Sequence, residues 1–466
     1  MYTSYIGKKF LSLYKEKENK PDDYSARQFF DDVLFPMFFD DPITLLWVHN
    51  SPFDQLNKAD AKKRNDHYNK NKSEPYYSLK DDPIARFEKK EELYAKISAK
   101  EISGSTAVGF YVADIKGNTS GQVTTLPVDY SDDDIIASWI GQALSVGLKG
   151  GYVLIDNSEI LSILSDGWQF YRQFISQTPK LKGNQIETWN AYWLSHKMSK
   201  VFDENNPLLG LKFELQGDEA EKGVLSIPTL IWSKLVFNLS SSFPLSTFTC
   251  YAYFLGKTNN TLGFINIYLP KIRYLYELRD ILFLNGKENV LTDKQIGELE
   301  TFHTFKNACR IGTIGLEALE PAKLREFMPK GIVEYAQGKD FKFTDENSKN
   351  IFSLYKLWII AMLNKTELLQ LAADVAKSLH SLEREKSDTN RGKTTQTQSS
   401  KELLESKSLK VFIDGLTENI NENNSQTFKN VVDQVVKMPS DNFPLFITLI
   451  RFEYSYQKNN SSHQTN

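Results

Sequence analysis

The sequence predicts an α+β protein. A mixed α/β body with an antiparallel sheet and hairpins is expected over residues 1–345, followed by an all-helical bundle over 346–457 and a polar tail over 458–466. Three observations predict this. FTCYAYFLG and LGFINIYL are rich in β-branched and aromatic residues and are joined by the polar turn KTNNT, the pattern of a hairpin. Leu354, Leu357, Trp358, Ala361 and Leu368 recur mostly at three- and four-residue intervals, which gives one apolar helical face. Helical and strand patterns both run through the first part of the chain, and a further division of the body is placed near 205.

Composition narrows the class. A chain of 466 residues exceeds one ordinary core, so two or three domains are expected. Lys and Arg number 56 against 59 Asp and Glu, so a nucleic-acid surface would have to be a local patch. Two cysteines, Cys250 and Cys309, exclude a disulfide framework and argue against a thiolate zinc site, in keeping with a reducing, cytoplasmic setting. The N-terminal stretch MYTSYIGKKFLSLYKEKENK shows no secretory apolar region. The most apolar run, Leu354 to Leu363, is too short to span a bilayer and contains Lys356, so no membrane partner is expected.

In chain order, Tyr2 to Tyr14 and Ala26 to Phe39 read as amphipathic helices, the second capped by Ser25 and ended at Asp40-Asp41-Pro42. LLWVHN reads as a short strand. Lys58 to Lys72 is the most basic segment, with almost nothing to bury. It reads as a surface loop, and Lys62, Lys63 and Arg64 are candidates for phosphate contacts. A charged helix is expected over 84–102, then a hairpin with an extended polar tip that includes Asn118, Ser120 and Gln122. Ser131 precedes three aspartates, Asp132 to Asp134, which fit the positive end of a helix better than a metal site.

YVLID is a buried strand, followed by the helix SEILSILSDGWQFYRQFIS, the loop TPKLKGNQ and a helix carrying Trp189 and Trp193 on one face. That aromatic stripe reads as core, whereas Lys180, Lys182, Asn184, Gln185 and Asn190 could line a groove. LLGLKFEL and VLSIPTLIWSKLVFNL read as strands, and helices return at 272–284 and 293–309. Arg310 stands beside Gly312 and Gly315, but with no preceding strand and no GxGxxG the segment is a helix end and turn, with Arg310 a candidate phosphate contact. The run 346–386 breaks near Asn364, a polar spacer covers 387–400, and helices follow at 401–420, 427–437 and 443–456.

No catalytic constellation is present. Asp203 with Glu214 lacks the lysine of an Asp…Glu-x-Lys nuclease site, the six histidines show no zinc spacing, and neither a nucleophile elbow nor a Walker motif occurs. No catalytic residue, metal ligand or cofactor is assigned.

A mixed body with basic loops, followed by a helical C-terminal module, resembles the large subunit of type I CRISPR effector complexes (Cascade). The segment MPSDNFPLFITLIRFEYSYQ resembles the closing helices of those proteins, with Arg451 on an otherwise apolar helix. Cysteine-pair zinc motifs found in some members are missing. The resemblance implies a non-catalytic subunit that reads a protospacer-adjacent motif and stabilises the displaced DNA strand. Its implied partners are guide RNA and target DNA, the other Cascade subunits, and a helicase-nuclease recruited on target binding. It also makes the tip residues Asn118, Ser120 and Gln122 candidates for contacts to DNA bases, and Arg451, at the bundle surface, a candidate contact to a single strand. The residues alone leave open a DNA-directed enzyme of another defence system, with a degenerate metal site around Glu214, and a scaffold with no nucleic-acid role.

Overall fold

The computed structural model describes residues 1–70, 75–109, 129–217, 223–254, 260–283, 291–331, 336–387 and 400–463. The tip residues Asn118, Ser120 and Gln122 lie outside the described residues. The chain forms two compact units, one of Met1–Leu269 with Thr304–Ile314, the other of Pro270–His303 with Gly315–Asn466. The fold is α+β, as the sequence predicts, with the sheet in the first unit.

Among the described residues, β1 (Val146–Leu148), β2 (Gly151–Ile155), β5 (Thr247–Phe254), β6 (Asn260–Tyr268) and β7 (Thr313–Ile314) form one sheet in that order. All neighbours are antiparallel except the pair β6 and β7, which is parallel. Two short strands, β3 (Gln216–Gly217) and β4 (Leu225–Ser226), pair separately. The expected hairpin of FTCYAYF and LGFINIY is present as β5 and β6. VLSIPTLIWSKLVFNL is not one strand. After β4 it turns into the helix Trp232–Ser242, because Trp232, Leu235, Val236 and Leu239 share a helical face and are all buried. LLGLKFEL and LLWVHN form no strand.

The helix Tyr2–Lys17 crosses the helix Asp132–Ala143 at glycines. A Cβ at Gly7 would stand 1.9 Å from the Ala137 carbonyl oxygen, and one at Gly141 equally close to that of Thr3. The three aspartates at the start of the second helix are each used. Asp134 forms a capping box with Ser131 and pairs with Lys8, Asp133 accepts the Ala26 amide at 2.8 Å, and Asp132 pairs with Lys100 at 2.9 Å. Burial alone would raise the Asp134 carboxyl, but Lys8 and Ser131 outweigh it and hold it at about 2. The second expected helix is interrupted by a π turn at Phe30–Leu34, ahead of Pro36, which has no N–H to continue the ladder. Trp189 and Trp193 are core, donating to the Gly167 and Ile163 carbonyls at 2.9 and 2.8 Å.

In the second unit the helices Glu346–Leu363, Glu367–Ser387, Leu409–Glu418, Ser425–Val435 and Phe443–His463 are present, and Asn364 is left-handed at the expected break. The 401–420 run is not continuous. It breaks before Ser408, whose hydroxyl accepts the Val411 amide and starts the Leu409–Glu418 helix. The expected 293–309 helix is likewise split into Asp293–Gly297 and Phe305–Arg310. The unit does not begin at 346. Phe327 and Phe341 pack on Tyr355 and Phe452, and Trp358 and Tyr355 donate to the Leu316 and Ala322 carbonyls at 3.0 and 2.9 Å. The helical face read from the sequence is thus covered partly by the chain that precedes it. Among the described residues no helix is long and apolar enough to cross a membrane.

Three elements of the first unit meet at one buried polar chain. Tyr253 Oη donates to Gln142 Oε1 at 2.7 Å, and Gln142 Nε2 donates to Glu187 Oε1 at 3.0 Å. Burial raises the Glu187 carboxyl to about 7, against the opposing pull of the Gln142 bond. The folded protein therefore holds a proton that the unfolded chain releases near 4.5, and this group's contribution to stability falls as pH rises from there to about 7. Glu187→Gln keeps the acceptor for Gln142 without the charge. Thermal melts should show the variant close to the parent at about pH 5 and more stable at about pH 8, by up to about 3 kcal/mol at ~1.4 kcal/mol per pKa unit. An equal difference at both pH values would mean that Glu187 is ionised throughout.

Candidate nucleic-acid interface

The basic stretch 58–70 belongs to a helix, Pro52–Lys70, and not to a surface loop. Its large buried apolar side chains, Phe53 and Leu56, are confined to the first turns, so no amphipathic stripe announces it. Two buried carboxylates hold it instead. Asp54 accepts from the Trp47 indole at 3.0 Å and the Asn50 amide at 2.7 Å, and pairs with Lys58 at 2.9 Å. One Asp60 oxygen accepts from Ser78 Oγ at 2.8 Å, the Leu79 amide at 2.6 Å and Tyr76 Oη at 3.0 Å. Burial alone would raise both carboxyls. The donors outweigh it and both lie below the usual range, Lys58 leading at Asp54 and Ser78 at Asp60. Asp60 thereby fastens the returning segment 76–79 along the helix.

Arg64 follows Asp60 by one helical turn and is exposed. It lines a cleft of about 370 Å³ together with Lys80, Lys180 and Lys182. The loop that supplies the two lysines is held from both sides. Leu225 donates its amide to the Lys180 carbonyl at 2.8 Å, and Lys182 donates its own to the Leu225 carbonyl at 2.8 Å. The buried Tyr171 hydroxyl reaches the Lys182 and Gly183 carbonyls at 3.1 and 2.7 Å. Gly183 lets the loop come close to residues 43–44, where a Cβ would stand 2.1 Å from Ile43 Cγ2 and 2.7 Å from the Thr44 oxygen. Lys180 takes a left-handed conformation with φ of 65°.

The electrostatics follow from this construction. Among the described residues, four cationic side chains line the cleft against two carboxylates, Asp54 and Asp60, and both carboxylates accept several hydrogen bonds. Trp47, also lining it, is 45% exposed while its indole N–H is fixed by Asp54. Asn184 Oδ1, in the same wall, is buried with no hydrogen-bond partner among the described residues. Cations beside an aromatic face and an amide can take a phosphate and an adjoining base.

The structure thus brings Arg64, Lys180 and Lys182 together, although more than a hundred residues separate Arg64 from the two lysines. Lys62 and Lys63 are exposed on the same helix outside the cleft. Arg310 is exposed at the end of the helix Phe305–Arg310 and does not line it. Lys80 and Trp47 escaped the sequence reading: Lys80 is a single lysine in LKDDP, and LLWVHN read as a strand. Arg451 is not at a surface. It is 6% exposed in the second unit, and its Nη2 donates to the Gly338 and Lys339 carbonyls at 2.7 and 3.0 Å. The apolar helix that carries it is a core helix, so its arginine is drawn inside. Glu214 is exposed, and no group of three or more His, Cys, Asp or Glu suited to a metal ion occurs among the described residues.

No family model, no curated protein and no solved structure matches this chain.

Asp60→Ala would leave the Leu79 amide and the Ser78 and Tyr76 hydroxyls without their shared acceptor. A loss of about 1–3 kcal/mol is expected in urea denaturation, with faster hydrogen exchange at Leu79. Unchanged exchange at Leu79 would show that the segment is held by something else.

Proposed function

We propose that this protein is a nucleic-acid-binding subunit that engages the DNA backbone through the Arg64, Lys180 and Lys182 cleft. In the fuller form of this reading it is the large, non-catalytic subunit of a type I CRISPR effector complex. In that role it reads a protospacer-adjacent motif, stabilises the displaced strand, associates with guide RNA and the other subunits, and leaves cutting to a recruited helicase-nuclease. The observation that supports it most is the convergence of four cationic side chains on one cleft, against two carboxylates among the described residues. A net charge of −3 over the whole chain makes such a local concentration meaningful. Phosphate contacts would supply affinity without sequence preference, and the exposed Trp47 offers a stacking face for an unpaired base. The layout of the chain supports the CRISPR assignment, and copurification of guide RNA and repeated subunits with tagged protein is its direct test.

The triple variant Arg64→Ala, Lys180→Ala, Lys182→Ala should bind DNA more weakly whatever its sequence. Its salt dependence should flatten by about one log–log unit for each phosphate that the variant no longer neutralises. The same slope as the parent would place the DNA elsewhere on the protein.

A further inference from the structure

The first unit contains a separate cavity, of about 510 Å³, which shares no lining residue with the cationic cleft. It lies between the helix Tyr2–Lys17, the π-interrupted run from Ala26 to Phe38, and the helix Ser158–Gln177. Phe10, Phe29 and Trp168 are buried and close its floor, and the half-buried Leu13, Tyr14, Val33 and Met37 form its walls. Val33 belongs to the π turn Phe30–Leu34, and single π turns inside helices occur often at functional sites. A cavity of this size, with an apolar floor and walls and a polar rim, has the make-up of a small-molecule site.

The rim selects the sign of the ligand. Every lining residue falls within the described runs 1–70 and 129–217, and none adjoins an undescribed residue in sequence. Among the described residues the lining carries three carboxylates, Glu16, Glu18 and Asp166, against one cation, Lys17, which pairs with Asp166 at 2.9 Å. Glu16 and Glu18 stand exposed at the C-terminal end of the helix Tyr2–Lys17, whose aligned carbonyls add partial negative charge there. Lys15, on the same turn, donates to the Asp22 carbonyl at 2.7 Å. The helix Ser158–Gln177 brings its positive end to the cavity only at Ser158, two turns before Asp166. Burial, Glu18 and Asp32 hold the Tyr14 hydroxyl above its ordinary pKa, so this phenol is neutral and sits in the field of two acids. An apolar ligand ending in a carboxylate would be repelled at this rim. One ending in an ammonium would pair with Glu16 and Glu18 and could rest against the Tyr14 ring.

We propose that this cavity binds a small amphipathic cation, an apolar or aromatic body bearing one ammonium group. The body lies between Leu13, Val33 and Met37, and the ammonium lies at Glu16 and Glu18. The site does not depend on the reading given to the cationic cleft.

The test is titration of the full chain with 4-phenylbutylammonium and with 4-phenylbutanoate, which share one apolar body and differ in the sign of the charge. Binding is read by calorimetry and by saturation-transfer NMR. The ammonium is expected to bind at least about tenfold more tightly than the carboxylate, and added salt should narrow that preference. Glu16→Gln with Glu18→Gln, both exposed positions that should fold normally, is expected to abolish most of the preference while the apolar body still binds. Leu13→Trp, which fills the cavity from one wall, should weaken the ammonium at least about tenfold, with a thermal melt as the check on folding. The Arg64, Lys180 and Lys182 triple variant should bind the ammonium as the parent does. No saturable binding of 4-phenylbutylammonium, equal binding of the two probes, or a preference that the glutamine double variant retains in full would overturn the proposal.

Discussion

Two buried carboxylates, Asp54 and Asp60, are the constraint on which the cleft of the first unit depends. The helix Pro52–Lys70 has too little apolar surface to be held by burial, so it is held by acceptors. Asp54 ties its first turn to Trp47 and Asn50, and Asp60 ties its middle to Ser78 and Leu79. Each bond trades a water partner for a protein one and gains modestly, but removing the shared acceptor would strand several donors at once. The arrangement also decides the sign of the cleft. Among the described residues the lining still holds four cations against these two carboxylates.

The parts of the fold that were legible in the sequence are those with a period. The hairpin β5–β6, the Trp189 and Trp193 stripe and the break at Asn364 all follow from local pattern. Where two periods overlap, the longer helical one prevailed: Trp232 to Leu239 forms a helix although its β-branched and aromatic neighbours suggested a strand. The helix Pro52–Lys70 was illegible because its support comes from Asp60 partners sixteen to nineteen residues away and not from its own face.

The site was half legible for a similar reason. Runs of basic residues point to Arg64, Lys180 and Lys182, but nothing local says that they meet, and Lys80 stands alone in its segment. Arg451 shows the opposite error. A single arginine on an apolar helix suggested a surface position, yet the helix is buried along that face and the side chain finds backbone carbonyls inside. The same helix places Glu453 in a buried pair with Lys356 at 2.9 Å, so polar groups recur in the interior of this unit. Such groups are costly unless partnered, and Arg451 offsets part of that cost through the two backbone carbonyls that accept from its Nη2.

Hydrogen–deuterium exchange of the full chain, with and without a saturating duplex oligonucleotide, tests the cleft most directly. Slowed exchange is expected in the segments that wall it, residues 43–47, 60–64 and 180–184, when DNA is bound. Bound DNA that leaves all three segments unchanged, or protects only the second unit, would contradict the assignment of the cleft as the interface.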